Sequence, residues 1–429
     1  MSEGRAIDRF ARTAAKRVLD TTKRGYVEAT EGGRRMSFGD PTAGLRASLE
    51  IKDPRAWTGM LCGSTGFGEG YVDGYWESDD LVSLVRIAAR NTPAMDALKR
   101  RFAFALVPGQ RLGGMVPRNT RLGARQNISA HYDLGNELFE SFLDEHMQYS
   151  SGYFPSPEAT LEQAQVAKLD RICDGLRLAP DDHLVEIGTG WGGLAIHAAA
   201  NYGCRVTTTT ISKEQRQYAI ERIAEAGLSD RIEVLFSDYR DLQGTYDKLV
   251  SIEMIEAVGW QYFKVFFRKC SELLRPDGLM SLQAIVMDDR AYEVEKASKS
   301  FANTHVFPGG CLPSQKLIGD LIASQTDMRT IHADDITPHY SETLRIWRER
   351  FNDSWERLEP LGYDQRFRRL WNFYLAFCEA GFRERRIRDL QILFAKPRYL
   401  EDDIHGPDRA GRSTEAGDAE AGALPHLTR

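Results

Sequence analysis

Val185-Glu186-Ile187-Gly188-Thr189-Gly190-Trp191-Gly192-Gly193 is the stretch that decides the fold. His183–Ile187 (HLVEI) is a short apolar run and reads as a buried strand. Leu194–Tyr202 reads as a helix. Glycines between them permit a tight turn and let a ligand approach the backbone closely. Such a loop can also be a plain strand-to-helix turn. A dinucleotide is a poor fit, because the spacing is GxGxGG rather than GxGxxG. The next strand also ends in Thr210-Ile211-Ser212, without the acid that usually grips a ribose.

Outward from this loop, strand signals recur at Arg205–Ile211, Ile232–Phe236, Lys248–Ile252 and Leu279–Met287, with helical runs between them. Ser212 followed by Gln215 predicts a capping box. Strands alternating with helices imply an α/β, doubly wound, mostly parallel sheet. Residues 1–125 read as a smaller, mainly helical N-terminal domain with a turn-rich Gly63–Gly74 segment and a basic linker. Residues 126–397 read as the catalytic domain, with 341–395 helical, and 398–429 as a disordered tail poor in large apolar residues.

The chain has 429 residues, with 56 basic and 62 acidic residues and a net charge of −6, which argues against a globally basic nucleic-acid binder. No apolar run approaches the roughly 20 residues of a membrane helix. The first thirty residues lack a signal-peptide core. Cys62, Cys173, Cys204, Cys270, Cys311 and Cys378 form no CxxC pair, so no metal site is expected and a reducing cytoplasm fits. Residues 96–125 carry Lys99, Arg100, Arg101, Arg111, Arg118, Arg121 and Arg125 against Asp96 alone. Apolar residues interleave them, so the stretch is either a solvated linker or a contact for an anionic membrane.

Glu186-Ile-Gly-Thr-Gly, with Asp238-Tyr239-Arg240-Asp241 after the third strand, resembles the S-adenosylmethionine pocket of class I (Rossmann-like) methyltransferases. That resemblance implies cofactor contacts from Glu186, Gly188, Gly190 and Gly192, from Asp238 and Tyr239, and from Thr210 and Gln215 in place of the missing ribose acid. Tyr149 and Ser150 are expected to border the methionine part of the cofactor.

Other segments narrow the resemblance. HYDLGNELF at 131–139, MQYSSGYF at 147–154, EMIEAVG at 253–259 and FPGGCLPS at 307–314 resemble the cyclopropane-fatty-acyl-phospholipid synthase family. The likeness runs from about Leu49 to about Lys396. MIEAVG, LQAI at 282–285, PHYSETLRIWRERF at 338–351 and EAGFR at 379–383 are similar to the actinobacterial branch that makes 10-methylene fatty acyl chains.

This resemblance implies methyl transfer from S-adenosylmethionine to a cis double bond of a phospholipid acyl chain. The resulting carbocation needs a dry site and a base. Proton loss from the transferred carbon with ring closure gives a cyclopropane; a hydride shift followed by proton loss from the new methyl gives an exocyclic methylene. Glu256 is the first catalytic candidate, because a carboxylate among Met254, Ile255, Ala257 and Val258 is costly unless it binds something. The resemblance implies that it helps to hold a bicarbonate ion serving as base, with contacts from Tyr340, Ser151, Gln283 and the backbone at Ile285. Ser151 and Gln283 stand where many relatives have cysteine and histidine. Cys378 matches a cysteine once proposed as a nucleophile, although a small buried hydrophobe is the expected role. Trp347, Phe351 and Trp355 form an apolar helical face, either core or acyl-tunnel wall.

Competing readings are an O- or N-methyltransferase on another lipid or small molecule, and a catalytically weakened lipid-binding partner. The expected partners are an unsaturated phospholipid and an anionic membrane surface, with no nucleic acid. There is room for a reductase acting on a methylene product and for a homodimer. The expected location is the cytoplasm, peripherally on the inner face of the cell membrane.

Overall fold

The computed structural model describes residues 2–92 and 134–400. The basic stretch 96–125, His131 to Asp133 and nearly all of the tail lie outside the described residues.

The main sheet has seven strands: β5 (His183–Ile187), β6 (Arg205–Thr210), β7 (Ile232–Phe236), β8 (Tyr246–Ile252), β9 (Leu274–Met287), β10 (Arg329–Asp335) and β11 (Ile387–Ala395). Their order is β10-β11-β9-β8-β5-β6-β7. The strands from β9 to β7 are parallel, and β11 runs antiparallel to both β9 and β10. β5 and β8 lie at the centre, so their carboxyl ends open at the point where the strand order reverses, the usual ligand crevice of this architecture.

Local chemistry explains these strands. β5 is buried along nearly its whole length, as a central parallel strand should be. β6 buries consecutive threonines whose hydroxyls all find partners. Thr207 meets His183 at 2.9 Å, Thr208 meets Thr189 at 2.7 Å, and Thr209 donates to the Ser237 carbonyl at 2.6 Å. Ser212 caps its helix by accepting from the Gln215 amide at 3.2 Å. Gln215 does not complete the box; its side-chain oxygen instead accepts from Thr210 at 3.0 Å.

Two helical expectations need correction. Ile387–Ala395 is a strand inside the sheet, not the end of the helical region 341–395. Short apolar runs do not distinguish helix from strand by periodicity. The N-terminal part is mostly helical in residue count, but it also holds a four-stranded sheet of order β2-β1-β3-β4: β1 (Tyr26–Glu31), β2 (Arg34–Gly39), β3 (Arg46–Ile51) and β4 (Trp76–Glu77). Gly32 and Gly33, both at positive φ, make the β1–β2 hairpin turn. Within the supposedly turn-rich segment, Gly63–Val72 is a helix. Its glycines mark close packing: a Cβ on Gly68 would lie 2.2 Å from the Phe301 ring.

The N-terminal part shares one apolar core with the helices Thr337–Asp353 and Gln365–Arg383, including Trp57, Trp76, Trp347, Phe351, Trp355 and Trp371. Trp347, Phe351 and Trp355 are all buried there, which favours the core role over a tunnel wall. Among the described residues, no helix is long and apolar enough to cross a membrane.

Candidate active site

A cavity opens at the carboxyl ends of β5, β6 and β8. It is lined by the 186–191 loop, Thr210, Gln215, Asp238, Tyr239, Tyr149, Ser150, Glu253, Met254 and Phe307, among others. Gly188, Gly190 and Gly192 take φ of +106°, +51° and +86°, so the loop bends in a way that L side chains resist. A Cβ on Gly190 would meet nothing within 4 Å. Glu186 is buried with Oε2 unpartnered, and burial pushes its carboxyl up to about 8. Asp238 is held by Arg240, whose Nε lies 2.8 Å from it. The Tyr239 hydroxyl is buried with no partner.

Tyr149 and Ser150 sit on a loop fixed from behind. Lys168, wholly buried on the helix Leu161–Gly175, donates to Ser150 Oγ at 2.9 Å and to Gln148 Oε1 at 2.6 Å. Burial lowers its ammonium to about 8. Tyr149 stacks against Trp347 and Phe307, with ring centroids 5.3 and 6.4 Å away, and its hydroxyl meets Tyr374 at 3.1 Å. Tyr149 and Phe307 line the cavity, so aromatic rings, which tolerate positive charge, border it.

Beside this aromatic wall lies a group of acids, Asp389 fully buried and Glu253 and Glu256 half-buried. Glu253 Oε1 accepts from the Ser151 amide at 2.9 Å and from Gln283 Nε2 at 2.7 Å; Oε2 accepts from the Tyr340 hydroxyl at 2.5 Å. Gln283 Nε2 also reaches Asp389 Oδ2 at 3.0 Å, and Gln391 donates to Gln283 Oε1 at 3.1 Å. The β9–β11 register, with Gln283 opposite Gln391 and Ile285 opposite Asp389, builds this network. Glu256 Oε1 accepts from the Ile285 amide at 2.6 Å, while Oε2 is buried and unpartnered. Burial, then the Glu253 charge, pushes Glu256 up to about 8. Asp389 is driven well above the carboxylate range by burial, then by Glu253 and Glu256. Burial also raises Glu253, against the pull of its hydrogen bonds.

The family model described as mycolic acid cyclopropane synthetase matches residues 120–392. The chain belongs to this family. It is 40% identical over 369 residues to the tuberculostearic acid methyltransferase UfaA1 of Mycobacterium tuberculosis, covering 83% of this chain and 86% of that one. It is 36% identical over 353 residues to the cyclopropane-fatty-acyl-phospholipid synthase of Escherichia coli K12, covering 82% and 88%. Among solved structures, the cyclopropane synthase MmaA2 from M. tuberculosis aligns with a TM-score of 0.59 at 28% identity, covering 63% of this chain and 98% of that one. The mycolic acid cyclopropane synthase CmaA1, complexed with SAH and CTAB, gives the same figures.

This member of the cyclopropane synthase family is therefore an S-adenosylmethionine-dependent methyltransferase, and its cavity fits that cofactor. The glycine bend opens onto it, and the orphaned Glu186 oxygen offers an acceptor for a cationic or hydroxyl donor. Most of the expected cofactor residues, Gly192 excepted, line the cavity directly. Gly192 instead packs its backbone on Ala219, with a Cβ reaching 3.2 Å.

The expected catalytic residues converge differently from the sequence reading. Ser151, Gln283 and Tyr340 meet around Glu253, not around Glu256, and only Ile285 reaches Glu256. The Ser151 hydroxyl is turned to its neighbour's carbonyl, Gly152 O, at 2.9 Å. Cys378 packs against the aromatic core, and burial pushes its thiol up to about 12, so it stays a neutral thiol. Cys311 is a buried thiol whose amide holds the Glu256 carbonyl at 2.8 Å. Sequence reading passed over Glu253, Asp389 and Lys168. For Glu253 the signal was there: a second acid three residues before Glu256, at the end of a buried strand.

Proposed function

We propose that this enzyme transfers the methyl group of S-adenosylmethionine to a cis double bond in a phospholipid acyl chain. A 1,2-hydride shift and proton loss from the new methyl then leave a 10-methylene branch, the precursor of a 10-methyl-branched lipid; a cyclopropane ring forms instead if the proton is lost before the shift. The observation that carries this reading is the Glu253 carboxylate, which lines the cofactor cavity together with Tyr149 and Phe307 and is backed by Asp389 through Gln283. An alkene is a poor nucleophile, so the chemistry needs alignment, exclusion of water, π faces that tolerate positive charge, and a base.

The cofactor, when bound, supplies an electrophilic methyl group. The chain's own residues do the rest. The glycine bend and Glu186 orient the cofactor, the Tyr149 loop closes over it, and the aromatic wall excludes water. The 40% identity to a tuberculostearic acid methyltransferase supports the methylene product. The bicarbonate implied by the family resemblance does not fit the donors as they stand. The Ser151 amide, Gln283 and Tyr340 already close on Glu253.

Reaching an acyl chain requires contact with a bilayer, and the basic 96–125 stretch supports docking on the anionic inner face of the cell membrane. A methylene product would need a separate reductase to become a methyl branch.

The test is incubation with S-adenosylmethionine carrying a labelled methyl group and vesicles of a cis-monounsaturated phosphatidylglycerol, followed by mass spectrometry of the released fatty acids. A labelled one-carbon branch at the former double bond is expected. Label on a heteroatom, or no incorporation by protein that binds S-adenosylhomocysteine, would overturn the reading.

A further inference from the structure

In the lipid reaction proposed above, the carbocation formed in the acyl chain must pass a proton to a group inside a dry cavity. We propose that Glu253 is this base, a carboxylate built into the chain where the family resemblance implies a bound bicarbonate. The Ser151 amide, Gln283 and Tyr340, assigned by that resemblance to the anion, all donate to the Glu253 carboxylate instead. Glu253 also lines the cofactor cavity, whereas Glu256 and Asp389 are not among its lining residues. Its backbone takes φ +47°, a left-handed conformation that side chains other than glycine rarely adopt. The chain therefore accepts backbone strain at the one position that aims a carboxylate at these donors.

The carboxylate geometry suits the role. An ionised carboxylate has about four acceptor sites. Ser151, Gln283 and Tyr340 donate to three of these, and Asp389 in its protonated form hydrogen-bonds to the same carboxylate, so the surrounding donors favour the ionised form. Three acids side by side, one fully and two half buried, cannot all be anions. The donors converge on Glu253, so it carries the negative charge, while Asp389 and Glu256 hold their protons. In the step itself, a C–H bond of the cation breaks. The bond is on the transferred carbon: once a 1,2-hydride shift has moved the charge to the carbon that bears it, the electron pair forms the C=C bond of the methylene. Without that shift the pair closes the C–C bond of a ring, and in either case the proton forms an O–H bond with Glu253. The proton returns to water after the product leaves.

The experiment compares wild type, Glu253→Gln and Glu253→Gly in labelled-methyl transfer to monounsaturated vesicles. Each is assayed in buffer purged of carbon dioxide and again with added bicarbonate, and S-adenosylhomocysteine affinity reports a folded cofactor site. Wild type should keep its turnover in purged buffer. Glu253→Gln should lose about 10²-fold or more, as removal of a general base does, with affinity for S-adenosylhomocysteine retained. Glu253→Gly relieves the backbone and uncovers the donors, so bicarbonate should restore turnover in a concentration-dependent way. Bicarbonate should not rescue Glu253→Gln, whose amide still fills the space.

Wild-type activity that disappears on purging and returns with bicarbonate would overturn the proposal. So would wild-type turnover in Glu253→Gln, or a Glu253→Gly variant that binds S-adenosylhomocysteine but is not rescued. A wild-type chain that binds S-adenosylhomocysteine yet methylates no lipid would instead overturn the lipid reaction itself.

Discussion

Replacing Tyr340 by phenylalanine removes one oxygen from the acid cluster and little else. The ring stays stacked on Phe382, with centroids 4.3 Å apart, and edge-on to Trp347, so the local packing is kept. What disappears is the 2.5 Å hydrogen bond to Glu253 Oε2. A hydrogen bond to a charged group contributes about 1.5–3 kcal/mol. One pKa unit corresponds to about 1.4 kcal/mol, so the Glu253 pKa should rise by about one to two units. The sign follows from the donor. Tyr340 favours the ionised form, and without it the carboxylate holds a proton to higher pH. Since the base must be ionised to act, the acidic limb of the pH–rate profile should move up by about one to two units. Below that limb, turnover should fall about 10- to 100-fold, and the gap should close as pH rises. Initial rates of labelled methyl incorporation across a pH series, with S-adenosylhomocysteine affinity measured alongside, provide the assay. Superimposable profiles for Tyr340→Phe and wild type would refute the reasoning.

Other substitutions test separate parts of the site. Gly188→Ala places a Cβ at φ +106° and 3.1 Å from Met254 Cγ. The strain, about 1–3 kcal/mol, should weaken S-adenosylhomocysteine binding about 10-fold or more by calorimetry. Glu256→Gln keeps the acceptor for the Ile285 amide and replaces a group held protonated to about 8. It should leave cofactor affinity unchanged and lower turnover less than Glu253→Gln; an equal or larger loss would move the base to Glu256. Cys378→Ala should retain turnover, because a thiol pushed up to about 12 is no nucleophile at neutral pH. Abolished activity in folded protein would reopen its catalytic role.

The centre of the fold was legible because its signals are local. β5 is a continuous buried run, the glycines follow it directly, and β6 to β9 alternate with helices at short range. β10 escaped because it is a largely exposed edge strand, without apolar alternation. β11 escaped because a short apolar run after a long amphipathic helix reads as more helix. The N-terminal sheet was missed although Gly32-Gly33 is a hairpin signal. At the site, the glycine loop and most cofactor-lining residues were readable from spacing and resemblance. The convergence on Glu253 was not, because it depends on the β9–β11 register and on Tyr340 from a distant helix. Asp389 was hidden by the misread strand that carries it.

The most direct test of the central claim is mass spectrometry of fatty acids from monounsaturated phosphatidylglycerol vesicles treated with this enzyme and methyl-labelled S-adenosylmethionine. The account predicts a labelled methylene branch, or a labelled ring, at the position of the lost double bond. An intact double bond in every recovered chain, from protein with a working cofactor site, would contradict it.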